Sequence, residues 1–196
     1  MKNSIKLKLP KHTVIESESK NIYIVDYANL NNGPVVLLDT EPQEVNYVFI
    51  RNDNKVSVCF DGFEKNALVI NAGNHSLQCE CVLFPSTCDD SDWVLFIETK
   101  YTNDIKSAFK EENNYPKCMI DQIVDTVSFF RKNGILKEKR RATAIVSFPN
   151  LIEEFNSTFF SGEITELDIL KAHNILIRAT NSAKIISQKR IKLYAH

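Results

Sequence analysis

The chain has 196 residues, of which 43% are hydrophobic and 25% are charged. This length and composition exclude a disordered, collagen-like or low-complexity protein and indicate one domain with a buried core. The formal net charge of −1 argues against a protein that binds polyanions through bulk positive charge. The charge is nevertheless divided along the chain, because residues 1–130 carry a net charge of −7 and residues 131–196 carry +6.

The first 70 residues have the pattern of short apolar strands joined by polar turns. Strands are predicted at 22–25, 35–38, 45–50 and 55–60. The four-residue polar connection Arg51–Asn54 predicts that the last two strands form a hairpin. We therefore interpret residues 1–70 as a β-rich N-terminal extension.

Residues 71–196 combine strands with a helix. Apolar strands are predicted at 77–84 and 93–101, and the second is apolar enough to be a buried central strand. Residues 116–132 carry apolar side chains at three- and four-residue spacing, which predicts a helix that stops at Asn133 and Gly134.

A further strand is predicted at 142–148, and the segments 175–178 and 184–193 predict a C-terminal hairpin. This order of elements is typical of an α/β (α+β) domain in which strands and a helix share one core. The predicted core therefore extends over residues 71–196, and it forms one compact unit with the N-terminal extension.

A basic run lies between the predicted helix and the strand at 142–148. Such a run is most often a solvated surface, but in a nucleic-acid-binding protein it contacts phosphates. The candidates for phosphate contacts are Lys137, Lys139, Arg140 and Arg141. The sequence leaves both interpretations open.

The five cysteines show no framework-like spacing, and the N-terminus has no apolar segment of the kind found in secretory signals. No stretch approaches the roughly 18 continuous apolar residues that a membrane span requires. We therefore expect an intracellular, cytoplasmic protein that does not interact with a membrane.

The strongest candidates for a functional site are the charged residues at the end of the most apolar strand. Glu98 and Lys100 are two residues apart, so they share one face of that strand. Charges at such a position are costly to bury unless they are paired or hold a metal. If the strands 77–84 and 93–101 form a hairpin, Glu80 can lie beside Glu98, and adjacent carboxylates repel unless a cation neutralises them. Oxygen ligands near an amine favour Mg²⁺ or Mn²⁺.

This arrangement resembles the PD-(D/E)XK nuclease superfamily over roughly residues 75–150. Glu98, Thr99 and Lys100 match the (D/E)-x-K motif, Gln122 corresponds to the glutamine of the following helix, and Glu80 stands where the family usually has Asp. The resemblance implies a restriction-endonuclease-like mixed sheet flanked by helices, with the N-terminal region as an extension.

The same resemblance implies metal-dependent hydrolysis of phosphodiester bonds, with DNA as the expected substrate. Glu80, Glu98 and the Thr99 carbonyl would bind Mg²⁺ or Mn²⁺, Lys100 would orient the attacking water, and Gln122 would position the site. The alternative is a catalytically inactive relative that binds nucleic acid or a protein partner. A homodimer is a further expectation, since many enzymes that cut both strands act as dimers.

Two other sites can be derived from the sequence. The acidic loop of Asp89, Asp90 and Asp92 could bind a cation, but Asp92 would lie about 20 Å from Glu98 if both were on one strand. A zinc site is the second alternative, and its candidate ligands are His75, Cys79, Cys81 and Cys88. Their spacing does not match a pair of CxxC motifs, so the carboxylate site is preferred.

Overall fold

We describe residues 1–31, 33–87, 89–162 and 164–194 from a computed structural model of the chain. They form a mixed α/β protein with two mixed sheets. The strands are β1 (Ile15–Ser17), β2 (Asn21–Asp26), β3 (Val35–Leu38), β4 (Val48–Arg51), β5 (Val58–Gly62), β6 (Val69–Asn71), β7 (Asn74–His75), β8 (Cys81–Pro85), β9 (Leu95–Thr99), β10 (Ala142–Ser147), β11 (Ile175–Ala179), β12 (Ser182–Ser187) and β13 (Arg190–Leu193). The helices are α1 (Lys2–Lys8), α2 (Ala28–Asn31), α3 (Ile105–Ala108), α4 (Tyr115–Lys132), α5 (Asn156–Phe159) and α6 (Glu166–His173).

The larger sheet has six strands in the order β1-β5-β8-β9-β10-β11. Its first four strands are antiparallel neighbours, whereas β9, β10 and β11 run parallel to one another. The chain between the parallel strands β9 and β10 passes through α4, as such a crossover requires. The strands predicted at 77–84, 93–101 and 142–148 are thus neighbours in one sheet.

The smaller sheet has five strands in the order β13-β12-β4-β2-β3. The six-stranded sheet and the five-stranded sheet each contain strands from residues 1–70 and strands from residues 71–196. The remaining short pair, β6 and β7, forms a hairpin of its own. None of the described helices has both the length and the hydropathy needed to cross a bilayer.

The predicted hairpin between 45–50 and 55–60 is wrong, because β4 and β5 lie in different sheets. The reason is Asn52, whose buried side chain donates to the carbonyls of Ser19 and Val56 and accepts from the Val56 N–H at 2.9 Å. These bonds tie the connection to its own backbone and to the segment before β2, and the chain passes from one sheet to the other instead of folding back.

The predicted C-terminal hairpin is also wrong in its pairing, because β11 and β12 lie in different sheets and β12 pairs with β13. Asn181 holds the crossing between β11 and β12. Its side-chain nitrogen donates to the carbonyls of Phe148 and Leu151 at 2.9 and 2.8 Å, and its own carbonyl accepts from the Phe49 N–H at 2.8 Å.

Helix α4, the six-stranded sheet and the five-stranded sheet form three layers, with one apolar core between each adjacent pair. Helix α4 packs its predicted apolar face, including Ile123, Val127 and Phe130, against one face of the six-stranded sheet. The other face of that sheet packs on the inner face of the five-stranded sheet. Helix α4 ends as predicted, since Gly134 adopts a φ of 67° and its N–H donates to the Arg131 carbonyl at 2.9 Å.

Candidate active site

The ends of two neighbouring strands bring Glu80 next to Glu98. Strands β8 and β9 are antiparallel, with Cys81 opposite Ile97, which confirms the hairpin expected from the sequence. Glu80 comes just before β8, and its N–H donates to the Ile97 carbonyl at 2.9 Å. Beyond the other end of the motif, the Lys100 N–H donates to the Ser147 carbonyl of β10 at 2.9 Å. Backbone bonds therefore fix all three charged residues at one end of the sheet.

The Lys100 ammonium lies between the two carboxylates. Its Nζ forms an ion pair with Glu98 Oε1 and lies 3.9 Å from Glu80 Oε1. Glu98 is fully buried, and its second oxygen, Oε2, has no hydrogen-bond partner among the described residues. One charged amine therefore serves two carboxylates, and one buried carboxylate oxygen is left without a donor.

Burial raises the pKa of both carboxyl groups. It raises the pKa of Glu98 well above its usual value, against the opposing effect of Lys100. Burial and the charge of Asp26 raise the pKa of Glu80 to about 7. Burial lowers the pKa of Lys100, but the charges of Glu98 and Glu80 outweigh it, so the net shift is upward. The site therefore favours binding of a further positive charge.

Asp26 is a third acid at this site, and the sequence reasoning missed it. It ends β2 in the five-stranded sheet and is buried, and its Oδ1 accepts from the Ala28 N–H at 2.7 Å. Its charge raises the pKa of Glu80 and that of Glu98. The sequence could have indicated Asp26, because it is an acid at the end of an apolar strand, as Glu98 is.

Helix α4 positions the segment that leads into Glu80. Gln122 Nε2 donates to the Gln78 carbonyl at 2.8 Å, and Thr126 Oγ1 accepts from the Cys79 N–H at 2.8 Å. Gln122 and Glu80 also line one open cleft of about 690 Å³. Gln122 therefore holds the backbone two residues before Glu80. Thr126 was missed, although a buried hydroxyl on the apolar face of a helix is a sequence signal for such a role.

The residues fit a divalent cation through their donor chemistry. Within the described ranges no three His, Cys, Asp or Glu residues form a group that could hold a metal ion by themselves. A cation would therefore rely on Glu80 and Glu98 with a backbone carbonyl such as that of Thr99, as Mg²⁺ does when it keeps several waters. The unpartnered Glu98 Oε2 is the atom that such an ion would satisfy. Thr99 follows Glu98 on β9, so its side chain points to the opposite face of the sheet and only its backbone could contribute.

The basic run lies at the other end of the strands. Arg141 directly precedes β10, whereas Glu98 is opposite Val146 near the end of that strand. Five residues of strand separate the two positions by about 16 Å. Lys137 forms an ion pair with Asp90, Arg140 Nη2 donates to the Asp92 carbonyl at 2.6 Å, and Lys139 is exposed. The run could therefore contact only phosphates several nucleotides away from the carboxylates.

The three acids of the loop at 89–92 all form ion pairs. Asp90 pairs with Lys137, and Lys189 pairs with Asp89 and Asp92 at 2.8 and 2.9 Å. These contacts belong to the end of the sheet where the basic run lies. They explain why the loop carries three acids without any need for a cation.

The alternative zinc site is not formed by the residues that the structure describes. Cys79 packs in the core beneath α4, and Cys81 packs in the core between the two sheets. His75 is exposed in β7, and Cys88 lies outside the described residues. Cys79 and Cys81 lie in different cores because the chain bends at Glu80 before β8 begins.

Comparison of the chain with protein-family models, with curated proteins and with solved structures found no match. The class that the fold and site define is therefore a mixed α/β protein with two mixed sheets and a buried carboxylate–lysine cluster at one end of the larger sheet. Any more specific assignment depends on the chemistry of that cluster.

Proposed function

We propose that this protein is a metal-dependent nuclease that hydrolyses phosphodiester bonds of DNA with Mg²⁺ or Mn²⁺. The observation that carries the proposal is the Lys100 ammonium shared between Glu80 and Glu98 at adjoining strand ends. The succession of β8, β9, α4 and β10, with β8 and β9 antiparallel and β9 and β10 parallel, supports a restriction-endonuclease-like core.

The chemistry divides among the residues of the cluster. Glu80, Glu98 and the Thr99 carbonyl would hold the divalent ion, which supplies Lewis acidity and neutralises charge on the phosphate. Lys100 would donate hydrogen bonds to the attacking water and to a phosphate oxygen, where negative charge increases in the transition state. Gln122 would act as a positioning residue, because it holds the backbone of Gln78 ahead of Glu80.

A catalytically inactive module that binds nucleic acid or a protein partner is the second candidate. The ion pair of Lys100 with Glu98 favours it, because this contact by itself balances the charge of one buried carboxylate. In such a module the cluster would stabilise the strand ends, and a metal would change neither binding nor stability.

A cleavage assay separates the two candidates. Plasmid DNA, linear DNA and RNA are incubated with the protein in Mg²⁺, in Mn²⁺ and in a chelator. We expect metal-dependent cleavage of DNA that falls by at least about a hundredfold in Glu98→Gln and in Lys100→Met, as for loss of a group that stabilises transition-state charge. Faster cleavage of RNA than of DNA would reassign the substrate.

The matched control is Lys110→Met. Lys110 forms an ion pair with Glu112, also two residues away, but both side chains are exposed. This variant should cleave like the wild type. Equal cleavage by the wild type, Glu98→Gln and Lys100→Met would indicate a contaminating nuclease, and absence of cleavage in all of them would contradict the proposal.

A further inference from the structure

The outer face of the five-stranded sheet carries aromatic side chains from separate strands. Ile22 and Ile24 of β2, like Val48 and Ile50 of β4, point inward into the core between the sheets. Because side chains alternate along a strand, Tyr23 of β2 and Phe49 of β4 point outward, and they are directly paired in the sheet.

The aromatic rings lie next to one another across this face. The ring of Tyr23 lies 4.8 Å from that of Tyr47 in an edge-to-face arrangement and 5.4 Å from that of Phe49. Tyr194, just beyond β13, lines the same groove. The rings of Tyr47, Phe49 and Tyr194 are all partly exposed, so each can present a surface to a ligand.

Basic side chains border these rings. Arg51 follows Phe49 by two residues on β4 and is 53% exposed, although it forms an ion pair with Asp53. Its neighbour across the sheet is Lys184, and Lys192 is opposite Lys184 on β13. The Lys192 ammonium lies 5.1 Å from the centre of the Tyr194 ring. Among the described residues, the ion pairs of these three cations involve one carboxylate, that of Asp53.

The groove has a volume of about 700 Å³, within the range of natural ligand sites. Its walls combine aromatic rings with polar residues, including Asn181 and Ser182. One acid also lines it, Glu41, and this carboxylate accepts a hydrogen bond from the Tyr47 hydroxyl. The groove is therefore open, aromatic and bordered by positive charge.

We propose that this outer face, formed by Tyr23, Tyr47, Phe49 and Tyr194 with Arg51 and Lys192 at its border, binds single-stranded nucleic acid. Bases stack on the exposed rings, and the cations contact the phosphates between them. Aromatic rings on a sheet surface with neighbouring positive charge are the general means of holding unpaired bases. In a duplex the faces of the bases are already stacked on each other, so the rings select single strands.

The groove is close to the carboxylate cluster but separate from it. Tyr23 and Asp26 are both on β2, three residues or about 10 Å apart, and they point to opposite faces of the sheet. The Tyr101 hydroxyl donates to the Asn46 carbonyl at 3.0 Å, next to Tyr47. The inference does not depend on catalysis, since a strand held here requires neither the metal nor Lys100.

Binding is tested with a fluorescently labelled oligothymidylate of about ten nucleotides, by anisotropy in a chelator that suppresses cleavage. We expect Phe49→Leu and Tyr194→Leu to weaken binding about tenfold each, because leucine keeps the apolar volume but offers no ring for stacking. Lys192→Gln should weaken binding less and reduce its dependence on salt. An unlabelled duplex of equal length should compete at least about tenfold more weakly than the single strand.

Two further variants make the result decisive. The double variant Lys139→Gln/Arg141→Gln changes the distant basic run and should bind like the wild type, as should Lys110→Met, which changes an exposed ion pair. Loss of binding in the basic-run variant, with Phe49→Leu and Tyr194→Leu unaffected, would overturn the proposal, as would absence of binding by the wild type. Intact binding without any cleavage would contradict the nuclease proposal alone. Cleavage of DNA without binding of the oligonucleotide in this assay would contradict the groove alone.

Discussion

Lys100 Nζ lies 3.9 Å from Glu80 Oε1, although the two residues are 20 positions apart in the chain and on neighbouring strand ends. The same ammonium pairs with Glu98, so its removal leaves one buried and one half-buried carboxyl group without their cation. Lys100 therefore links the stability of this end of the sheet to the protonation of both acids.

We expect Lys100→Met to lower the free energy of unfolding by about 3 kcal/mol at neutral pH. Removing one partner of a buried ion pair costs about 3–5 kcal/mol, and the lower end applies because the Lys100 side chain is 24% exposed. Urea denaturation followed by circular dichroism measures the change. Adding Glu98→Gln to Lys100→Met should recover part of the loss, and Lys110→Met should have no measurable effect.

The raised pKa of Glu80 predicts that the protein loses stability as the pH rises toward 7. The folded protein retains a proton on Glu80 up to about pH 7, whereas the unfolded chain releases it near the usual value of 4.5. Stability therefore falls between these two values, by up to about 3 kcal/mol at 1.36 kcal/mol per pKa unit. Glu80→Gln removes this titration, so its unfolding free energy should vary less over that interval. Identical pH profiles for the variant and the wild type would contradict the prediction.

Binding of Mn²⁺ should show the opposite dependence on pH. A cation binds the ionised form of Glu80, so the affinity should rise as the pH increases through about 7. Isothermal titration calorimetry on both sides of that value measures the change. Glu80→Asp shortens the side chain by one methylene but retains the carboxylate, so it should keep a pH-dependent affinity. Glu80→Gln should lose that dependence, and retention of it there would assign the titration to another group.

Thr126→Val should destabilise the fold and lower the affinity of the carboxylate site for Mn²⁺. The Thr126 hydroxyl accepts from the buried Cys79 N–H and donates to the Gln122 carbonyl at 2.7 Å. Valine leaves that N–H without an acceptor, which costs about 1–3 kcal/mol. Thr126→Ser is the matched control, because it keeps the hydroxyl and should retain both stability and Mn²⁺ affinity. Equal behaviour of the two variants would show that the hydroxyl does not position the segment before Glu80.

A second pH dependence is expected at His12. Its Nδ1 lies 3.0 Å from Oδ2 of the buried Asp61, and Glu64 is the other acid whose charge acts on it. Burial lowers the pKa of His12, but the bond and the charge of Asp61 outweigh it and raise the pKa above 6.5. The stabilisation is then complete below pH 6.5 and is lost as the pH rises through the raised pKa.

His12→Gln tests this assignment by thermal unfolding at several pH values. The variant should be less stable than the wild type in acid, and the difference should shrink as the pH rises above the pKa of His12. A difference that stays constant with pH would show that His12 acts through packing against Phe63 rather than through its charge.

Local pattern was sufficient for the elements that build the carboxylate site. The spacing of Ile123, Val127 and Phe130 predicted α4, and the apolar run ending at Glu98 predicted β9. Alternation along that strand placed Glu98 and Lys100 together, because the face on which a strand residue lies depends only on its position in the strand. The predicted site also required that the two consecutive apolar segments pair as a hairpin, and the antiparallel pairing of β8 with β9 meets that condition.

Pairing between strands distant in sequence could not be derived in this way. The side chains of Asn52, which is buried, and Asn181, which is half-buried, hold the two connections where the chain crosses from one sheet to the other. Neither the β4–β5 nor the β11–β12 connection therefore forms the hairpin that the sequence predicted. A polar residue in a turn does not reveal which backbone groups it will bind. For this reason the placement of Asp26 beside the site was not predicted.

The sequence by itself determined α4, the strand ending at Glu98 and the neighbouring Lys100, because these depend on the periodicity of residues close together in the chain. Only the tertiary structure decided that Asp26 joins the carboxylates, that the basic run lies about 16 Å away along β10, and that Tyr23, Tyr47, Phe49 and Tyr194 share one groove. The aromatic residues do not form an interleaved pattern in the sequence. They meet because pairing of β2 with β4 and of β4 with β12 brings distant segments onto one face.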